Sequence, residues 1–352
     1  MDLFAFTREL IDIASPSGDE GACARFLAAR LEGAGYRVEL QTVEGARANV
    51  IARTHAPPRV VFSTHVDTVP PHIPAREDAE YIHGRGACDA KGIIAAQVVA
   101  AERLRAAGVA EIGLLFTVDE EQASIGARAA DGHAWARGCE YLVNGEPTDN
   151  LLAVGSKGSL RARLRAAGRA AHSAYPEQGE SAIEKLLDVL ADVRAHAWPR
   201  DEFYGATTCN IGTLAGGTRA NVIPAAAEAV LQLRLVSASA PVLAELERIA
   251  AGRAEVECLS VSEPVRLHAV PGFEQTVVRF TTDIPYLPNW GTPLLLGPGS
   301  ILDAHTPHER VAKRELERAV ALYEQLARTL LNETKKPRAT AEQNAGAEGR
   351  SA

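Results

Sequence analysis

The chain has 352 residues and a formal net charge of −8, from 37 Lys and Arg against 45 Asp and Glu. This length exceeds what one compact core usually holds, so we expect two domains, or one domain with an insertion. Hydrophobic residues make up 46% of the chain and charged residues 23%, which excludes collagenous and disordered classes. Because the acidic balance leaves no broad basic face, neither nucleic acid nor an anionic membrane is expected as a partner.

The five cysteines are odd in number, lie far apart and form no CxxC pair. They therefore predict neither a disulfide framework nor a cysteine-rich zinc site, and they favour a reducing compartment. The start of the chain lacks a basic segment followed by an apolar one. No window approaches the roughly 18 apolar residues of a membrane span. We therefore expect a soluble cytoplasmic protein.

The first 150 residues alternate helical patterns with short apolar runs, which is typical of an α/β domain with a largely parallel sheet. Glycines end the helices predicted over residues 20–32 and 91–107. Apolar runs predict strands at 60–64, 112–118 and 141–143. Each strand leads into polar residues, HVD at 65–67, DEE at 119–121 and NGE at 144–146. Ligand crevices of open α/β sheets lie outside the carboxyl ends of the strands, so these side chains should meet at one edge.

From about residue 156 the pattern changes to strand, helix, two strands, helix and strand, which is the ferredoxin-like order. The predicted fold is therefore an α/β domain with a mostly parallel central sheet and flanking helices, at 1–155 and 263–331. An inserted ferredoxin-like α+β domain occupies 156–262. The polar tail at 332–352 is expected to be disordered.

Strand ends and the loops after them carry the residues that predict chemistry: His65, Asp67, Asp89, Glu120, Glu121, Glu146 and His305. A DEE run or a lone histidine is more often a solvated surface feature, so the prediction rests on the whole set. Two imidazoles with several carboxylates and no thiolate suit two divalent ions such as zinc, bridged by one carboxylate. Two Zn²⁺ are therefore the expected cofactors, with Co²⁺ or Mn²⁺ as alternatives.

Six motifs carry a family resemblance: STHVDTVP at 63–70, GRGACDAKG at 84–92, TVDEE at 117–121, NGEPT at 144–148, GGTRANVIP at 216–224 and GPGSILDAHTPHE at 297–309. In this order they resemble the M20 family of metallopeptidases and amidohydrolases over about residues 5–330. That family includes acetylornithine deacetylase, succinyl-diaminopimelate desuccinylase and glutamate carboxypeptidase.

The resemblance implies one zinc held by His65, Asp89 and Glu146, and a second held by Asp89, Glu121 and His305. It makes Glu120 the general base, a role that fits its position beside Glu121, because neighbouring strand-end residues point different ways. Asp67 lies two residues after His65, on the same side of an extended chain, where it can accept the other imidazole N–H.

The resemblance also implies that residues 1–155 and 263–331 form the catalytic domain and that the inserted domain at 156–262 serves for dimerisation or as a lid. A histidine at the place of His172 reaches the active site of the other subunit of a homodimer and stabilises the oxyanion, which suits an N–H donor. Asn221 and Arg234 fall where relatives bind the substrate carboxylate. Gly297 and Gly299 permit close approach, so that backbone N–H groups of GPGS can contribute.

The expected activity is hydrolysis of the amide bond of a small N-acyl-L-amino acid, with N-acetylornithine-type deacetylation in arginine or lysine biosynthesis as the leading choice. Succinyl-diaminopimelate desuccinylase is an alternative, weakened because Ser156 and Lys157 stand where that group carries two arginines. Carrier-protein-linked lysine or ornithine hydrolysis and M20 dipeptidase or carboxypeptidase action are further alternatives. A non-catalytic binding relative is disfavoured, because every predicted ligand and the predicted base are present.

Overall fold

The computed structural model describes residues 1–333 of the chain. The predicted disordered tail lies outside these residues, except that 332 and 333 belong to the last helix. The chain divides into two compact units. The first unit comprises residues 1–150, 289–293 and the described residues from 297 onward, and the second comprises 151–288 and 294–296.

The helices are α1 (Leu3–Asp12), α2 (Gly21–Gly33), α3 (Lys91–Ala106), α4 (Ile125–Asp131), α5 (Ala182–Ala195), α6 (Ser239–Ala250) and α7 (Lys313–Glu333). The strands up to residue 206 are β1 (Arg37–Glu44), β2 (Arg47–Arg53), β3 (Val60–His65), β4 (Arg76–Glu77), β5 (Tyr81–His83), β6 (Ile112–Thr117), β7 (Tyr141–Asn144), β8 (Leu152–Ser156), β9 (Gly158–Ala167), β10 (Arg200–Asp201) and β11 (Gly205–Ala206). The later strands are β12 (Thr208–Gly216), β13 (Ala226–Leu235), β14 (Glu255–Ser262), β15 (Val265–Arg266), β16 (Gln275–Val278), β17 (Thr292–Leu295) and β18 (Arg310–Ala312). Within residues 1–333, no helix is both long enough and apolar enough to cross a membrane.

The sheet of the first unit is mixed, with a parallel centre. β3 lies between β6 and β7 and is parallel to both, which confirms the predicted parallel strands. β2 pairs antiparallel with β6 and with β1. β1 and β2 are antiparallel because they form a hairpin, whose turn uses Gly45 at φ 55°.

The core of the first unit is built around α3, which confirms the helix predicted at 91–107. Twelve of its residues are buried, so the helix is covered nearly all round by its neighbours. It packs against α1, α7, β3 and β6. Its alternation of alanines with Ile and Val suits this position, because small residues let the neighbouring elements approach closely.

The second unit contains a four-stranded antiparallel sheet in the order β12-β13-β9-β14. Helices α5 and α6 pack on the sheet, against the alternate buried residues of β13 such as Leu231 and Leu233. The observed order of strands and helices is the predicted ferredoxin-like one, with the short hairpin β10–β11 added between α5 and β12.

The second unit is wider than the predicted insertion at 156–262, which lies wholly inside it. The difference arises because β8 pairs with β15, β16 and Leu295 of β17. These pairings tie the segments on either side of the four-stranded sheet to one another.

Leu115 tests the core of the first unit. It is fully buried in β6, whereas Leu40, on β1 of the same sheet, is 42% exposed. Leu115→Ala should lower the free energy of unfolding by about 2–5 kcal/mol, because it leaves a cavity in a packed core. Leu40→Ala should change it by about 0.5 kcal/mol or less. Denaturant unfolding of both variants measures the difference, and equal effects would contradict this account of the core.

Candidate metal centre

Two groups of three side chains in the described chain are close enough to hold metal ions, and both belong to the first unit. One group is His65, Asp89 and Glu146, and the other is Asp89, Glu121 and His305. In each group, one ligand atom from each residue lies within 4.8 Å of the other two. The structure therefore brings together all five residues predicted as ligands.

Asp89 belongs to both groups, and its two carboxylate oxygens face different histidines. Oδ1 lies 3.0 Å from Nε2 of His65, and Oδ2 lies 3.3 Å from Nε2 of His305. Nε2 of His305 is also 2.8 Å from Oε1 of Glu121. This arrangement would allow the carboxylate to bridge two cations.

The electrostatics of the two groups favour positive charge between the carboxylates. Burial lowers the pKa of His65, but hydrogen bonds to Asp67 and Asp89 hold it well above its usual value. Hydrogen bonds to Asp89 and Glu121 raise the pKa of His305 to about 10. Burial raises the pKa of Glu121. Divalent cations between the carboxylates would satisfy the same demand for positive charge.

The ligands come from positions that the sheet fixes. His65 ends β3, and Glu146 follows the end of the parallel strand β7. The Gly145 N–H donates to the Ser63 carbonyl at 2.7 Å, which extends the pairing toward Glu146. A side chain at Gly145 would meet Ile93 Cγ2 at 2.4 Å, so this close approach to α3 requires glycine.

The Asp67 carboxylate connects the His65 segment to the Glu120–Glu121 segment. Its oxygens accept the backbone N–H of Glu120 at 3.1 Å and that of Glu121 at 3.2 Å. Oδ2 also accepts the Ser17 hydroxyl at 2.7 Å. Toward His65, the imidazole Nδ1 lies 3.0 Å from the Asp67 carbonyl oxygen and 3.4 Å from its carboxylate. Asp67 therefore faces Nδ1 as expected, with its backbone as the nearer acceptor.

Glu309 holds the segment that carries Asp89, a role that the sequence analysis did not assign. Its Oε1 accepts the backbone N–H groups of Gly86, Cys88 and Asp89, at 2.9, 3.1 and 3.1 Å. Its Oε2 accepts from Arg85 Nη1 at 2.6 Å. The HTPHE motif contains Glu309, but nothing in its spacing shows that a carboxylate would bind a segment so distant in sequence.

His172 and Asn221 are neighbours in the second unit. The Ser173 N–H donates to the Asn221 carbonyl at 3.0 Å. His172 is exposed, and its Nδ1 accepts the Ala174 N–H at 3.1 Å. In the neutral ring the proton must then lie on Nε2, which makes that atom a hydrogen-bond donor. Arg234 lies in β13, opposite Ser159 and Thr208.

Gly297 and Gly299 both permit close approach within the first unit. A Cβ at Gly297 would lie 2.4 Å from the Glu146 carbonyl oxygen, and one at Gly299 would lie 2.7 Å from Cys88 Sγ. The Gly297 N–H already donates to Thr148 Oγ1 at 3.0 Å. These glycines therefore pack the chain against the segments that carry Glu146 and Asp89.

The donor set fits two divalent cations. It offers nitrogen and carboxylate oxygen without a thiolate, in two groups that share one carboxylate. Each oxygen of Asp89 faces a different histidine. Asp89 would therefore be the only ligand that the two ions share.

The model of peptidase family M20/M25/M40 matches residues 61–329, a span that contains all five candidate ligands. The chain belongs to this family. It is therefore an M20 metallopeptidase-family hydrolase with a mixed α/β fold.

Two curated relatives of this M20 hydrolase show the extent of the similarity. A peptidase M20 domain-containing protein of Schizosaccharomyces pombe is 37% identical over 327 residues, covering 90% of this chain and 81% of the relative. A probable carboxypeptidase of Aspergillus clavatus is 37% identical over 377 residues, covering 95% of this chain and 83% of the relative.

Solved structures share the fold of this M20 hydrolase. A tripeptidase from Staphylococcus aureus superposes with a TM-score of 0.76 at 20% identity, covering 93% of this chain and 98% of the other. The YXEP protein of Bacillus subtilis, described as a dinuclear metal binding peptidase, superposes with a TM-score of 0.70 at 17% identity. That comparison covers 94% of this chain and 98% of the other.

The shared carboxylate generates a prediction about metal content. Asp89→Ala should abolish tight binding of both ions, because both groups lose a ligand, whereas Glu146→Ala should weaken only one. Elemental analysis after dialysis measures metal per chain in each variant. Two tightly held equivalents in the Asp89 variant would rule out the bridging position.

Proposed function

We propose that this M20 hydrolase is a two-metal exopeptidase that removes a C-terminal amino acid from a short peptide. The observation that carries the proposal is the pair of ligand groups sharing Asp89, with Glu120 adjacent in sequence to the ligand Glu121. Carboxypeptidase action is supported by the curated relative from Aspergillus clavatus, which carries that name at 37% identity.

In the proposed reaction, Glu120 is the residue that transfers the proton. When bound, two divalent cations supply Lewis-acid polarisation of the scissile carbonyl and activation of a water molecule. Glu120 takes a proton from the attacking water at its carboxylate and returns it to the nitrogen of the leaving amine. The backbone hydrogen bonds from Glu120 and Glu121 to Asp67 hold the segment that carries this base.

Substrate recognition is assigned to the second unit. Asn221 and Arg234 are proposed to bind the free carboxylate of the leaving amino acid, for which Arg supplies a fixed pair of donors. His172 is proposed to donate from Nε2 to the developing oxyanion. The Ala174 N–H on Nδ1 supports this role, because it selects the tautomer with the proton on Nε2.

N-acetylornithine-type deacetylation is the second candidate, because the six sequence motifs resemble a family that also includes acetylornithine deacetylase. It breaks the same kind of bond, an amide next to a free α-carboxylate, and differs only in the acyl group. A desuccinylase is disfavoured, because Lys157 stands where that group carries an arginine and its ammonium donates to the Ala206 carbonyl. A second substrate carboxylate therefore finds no pair of arginines at 156–157.

A substrate panel tests these assignments. The zinc-loaded protein should release the C-terminal amino acid from dipeptides and tripeptides faster than it hydrolyses N-acetylornithine, N-acetylcitrulline, N-acetyllysine or N-succinyl-diaminopimelate. Peptides with an amidated C-terminus serve as the matched control, because they lack the carboxylate. Rapid cleavage of the amidated peptides, or preference for an N-acetyl substrate, would contradict carboxypeptidase action.

Glu120 generates a prediction that separates the base from the ligand beside it. Glu120→Ala should abolish turnover with metal content near normal, whereas Glu121→Ala should lose metal. Turnover on a dipeptide and elemental analysis of both variants measure this. Loss of metal from the Glu120 variant and its retention by the Glu121 variant would reverse the two roles.

A homodimer through residues 156–262 and a cytoplasmic location are further proposals. Among the described residues, β12 and β14 are the edge strands of the four-stranded sheet, and most residues of β12 are exposed. An open edge strand can pair with a second copy about a two-fold axis. Among the described residues all five cysteines are free thiols, which supports a reducing compartment.

If His172 acts in the active site of the partner subunit, two inactive variants should complement each other. Mixing His172→Ala with Glu120→Ala and allowing subunit exchange should restore activity, because each hybrid dimer contains one site with both residues intact. Light scattering and turnover before and after exchange provide the measurement. A fully active monomer, or hybrids that stay inactive after proven exchange, would remove His172 from the reaction.

A further inference from the structure

Arg47 begins β2 and lies beside the end of β6. The antiparallel pairing joins Val50 to Phe116 and Arg53 to Gly113. Continuing this register by three residues places Arg47 opposite Asp119, the residue before Glu120. The first residue of β2 is therefore brought to the carboxyl end of β6, at the edge of the sheet where His65 ends β3.

Arg47, Glu20 and Asp119 form an ion-paired cluster, here called the Arg47 cluster. The guanidinium binds Glu20 with two hydrogen bonds, Nε to Oε2 at 2.7 Å and Nη2 to Oε1 at 2.8 Å. Nη2 also donates to Asp119 Oδ1 at 2.5 Å. The side chains are 12% exposed for Arg47, 0% for Glu20 and 7% for Asp119. Because water has little access, these contacts are not screened as surface ion pairs are.

Asp119 fixes the conformation of the segment that follows it. Its φ is 70°, in the left-handed region that non-glycine residues seldom adopt. Its carbonyl accepts the Ser124 N–H at 2.7 Å, and its Oδ2 accepts the Ala123 N–H at 3.2 Å. Glu120 and Glu121 therefore lie in a tight turn held by Arg47 through Asp119 and by Asp67 through two backbone N–H groups.

We propose that the Arg47 cluster consists of positioning residues, which set the place of the Glu120–Glu121 turn and thereby control metal binding by Glu121 and proton transfer by Glu120. The part that concerns Glu120 rests on the proposed function, whereas the part that concerns Glu121 is read from metal binding alone. None of the three residues belongs to either ligand group.

The chemistry of the cluster requires arginine. Only a planar guanidinium can make two parallel hydrogen bonds to Glu20 and still direct a donor to Asp119. A lysine keeps the charge, but its three donors share one nitrogen and cannot reproduce this geometry, so Asp119 would lose its fixed partner. A displacement of about 1 Å at the base can lower turnover roughly 100-fold.

The chain offers a matched control in Arg59. Arg59 directly precedes β3, at the end of the strand opposite His65. It binds Glu140 with two hydrogen bonds, at 2.7 and 3.0 Å, and Glu111 with one at 3.2 Å. Like Arg47, it makes two hydrogen bonds to one carboxylate and one to another, at the edge of the sheet away from the metal centre. Arg47 differs in a further bond to the exposed Glu44 at 3.1 Å.

The experiment compares Arg47→Lys with Arg59→Lys. Calorimetric titration of the chelator-treated protein with zinc alone should show that Arg47→Lys weakens one of two sites by about 10- to 100-fold. Turnover should show a lower kcat with little change in KM, because the contacts to substrate remain. Arg59→Lys should bind zinc and turn over substrate as the wild type does. Thermal unfolding of both variants checks that they fold equally.

Asp119 supplies the second pair of variants, which keeps the test open if Arg47→Lys does not fold. Asp119→Asn retains an acceptor for Arg47 and should keep most of the zinc affinity, whereas Asp119→Ala should lose it as Arg47→Lys does. Normal zinc binding in both Arg47→Lys and Asp119→Ala would overturn the proposal, as would equal losses in Arg59→Lys. If Arg47→Lys weakens zinc binding but Glu120→Ala remains active, the role of the cluster in positioning Glu121 stands. That result would reject Glu120 as the base, which belongs to the proposed function.

Discussion

The arrangement of the metal centre depends on one buried carboxylate, that of Asp67. It is fully buried, and burial alone would raise its pKa, yet His65, Ser17 and the backbone of Glu121 hold that pKa below its usual value. An ionised carboxylate at this depth requires all of these donors at once. The free-energy cost of burying this carboxylate therefore holds the His65 and Glu120–Glu121 segments in place, because displacement of either segment leaves a buried charge without its partners.

The same principle organises the acids around the metal centre. Glu309 is satisfied by Arg85 and three backbone N–H groups, and Glu20 is satisfied by Arg47 and the Gly18 N–H. Each of these carboxylates binds at least one backbone N–H group and an arginine side chain, and neither belongs to a ligand group. Asp89, Glu121 and Glu146 instead belong to the two ligand groups, where cations are expected to bind. The supporting carboxylates thus differ from the candidate ligands in their bonding partners, which are arginines and backbone N–H groups.

The features that could be predicted from the sequence are those that depend on short stretches of chain, such as strands and the polar residues at their ends. Residues 60–65 and 112–117 form strands because they are apolar runs, and the polar groups that follow meet because parallel strands end at one edge. The hairpin of β1 and β2 was not predicted, so neither was the register that brings Arg47 to Asp119. Glu309 escaped for a similar reason, since its partners lie more than 200 residues away. Such pairings depend on the tertiary structure and leave no local pattern.

The order of the ligands along the chain has a consequence for biosynthesis. His305 contacts Glu121 across 184 residues of sequence, and the whole second unit lies between them in the chain. A ribosome-bound chain that has exposed His65, Asp89, Glu121 and Glu146 still lacks the last ligand of one group. Domains generally fold as units during synthesis, so the second unit can form before the first is complete. The group that contains His305 can therefore be completed only after the second unit has been made.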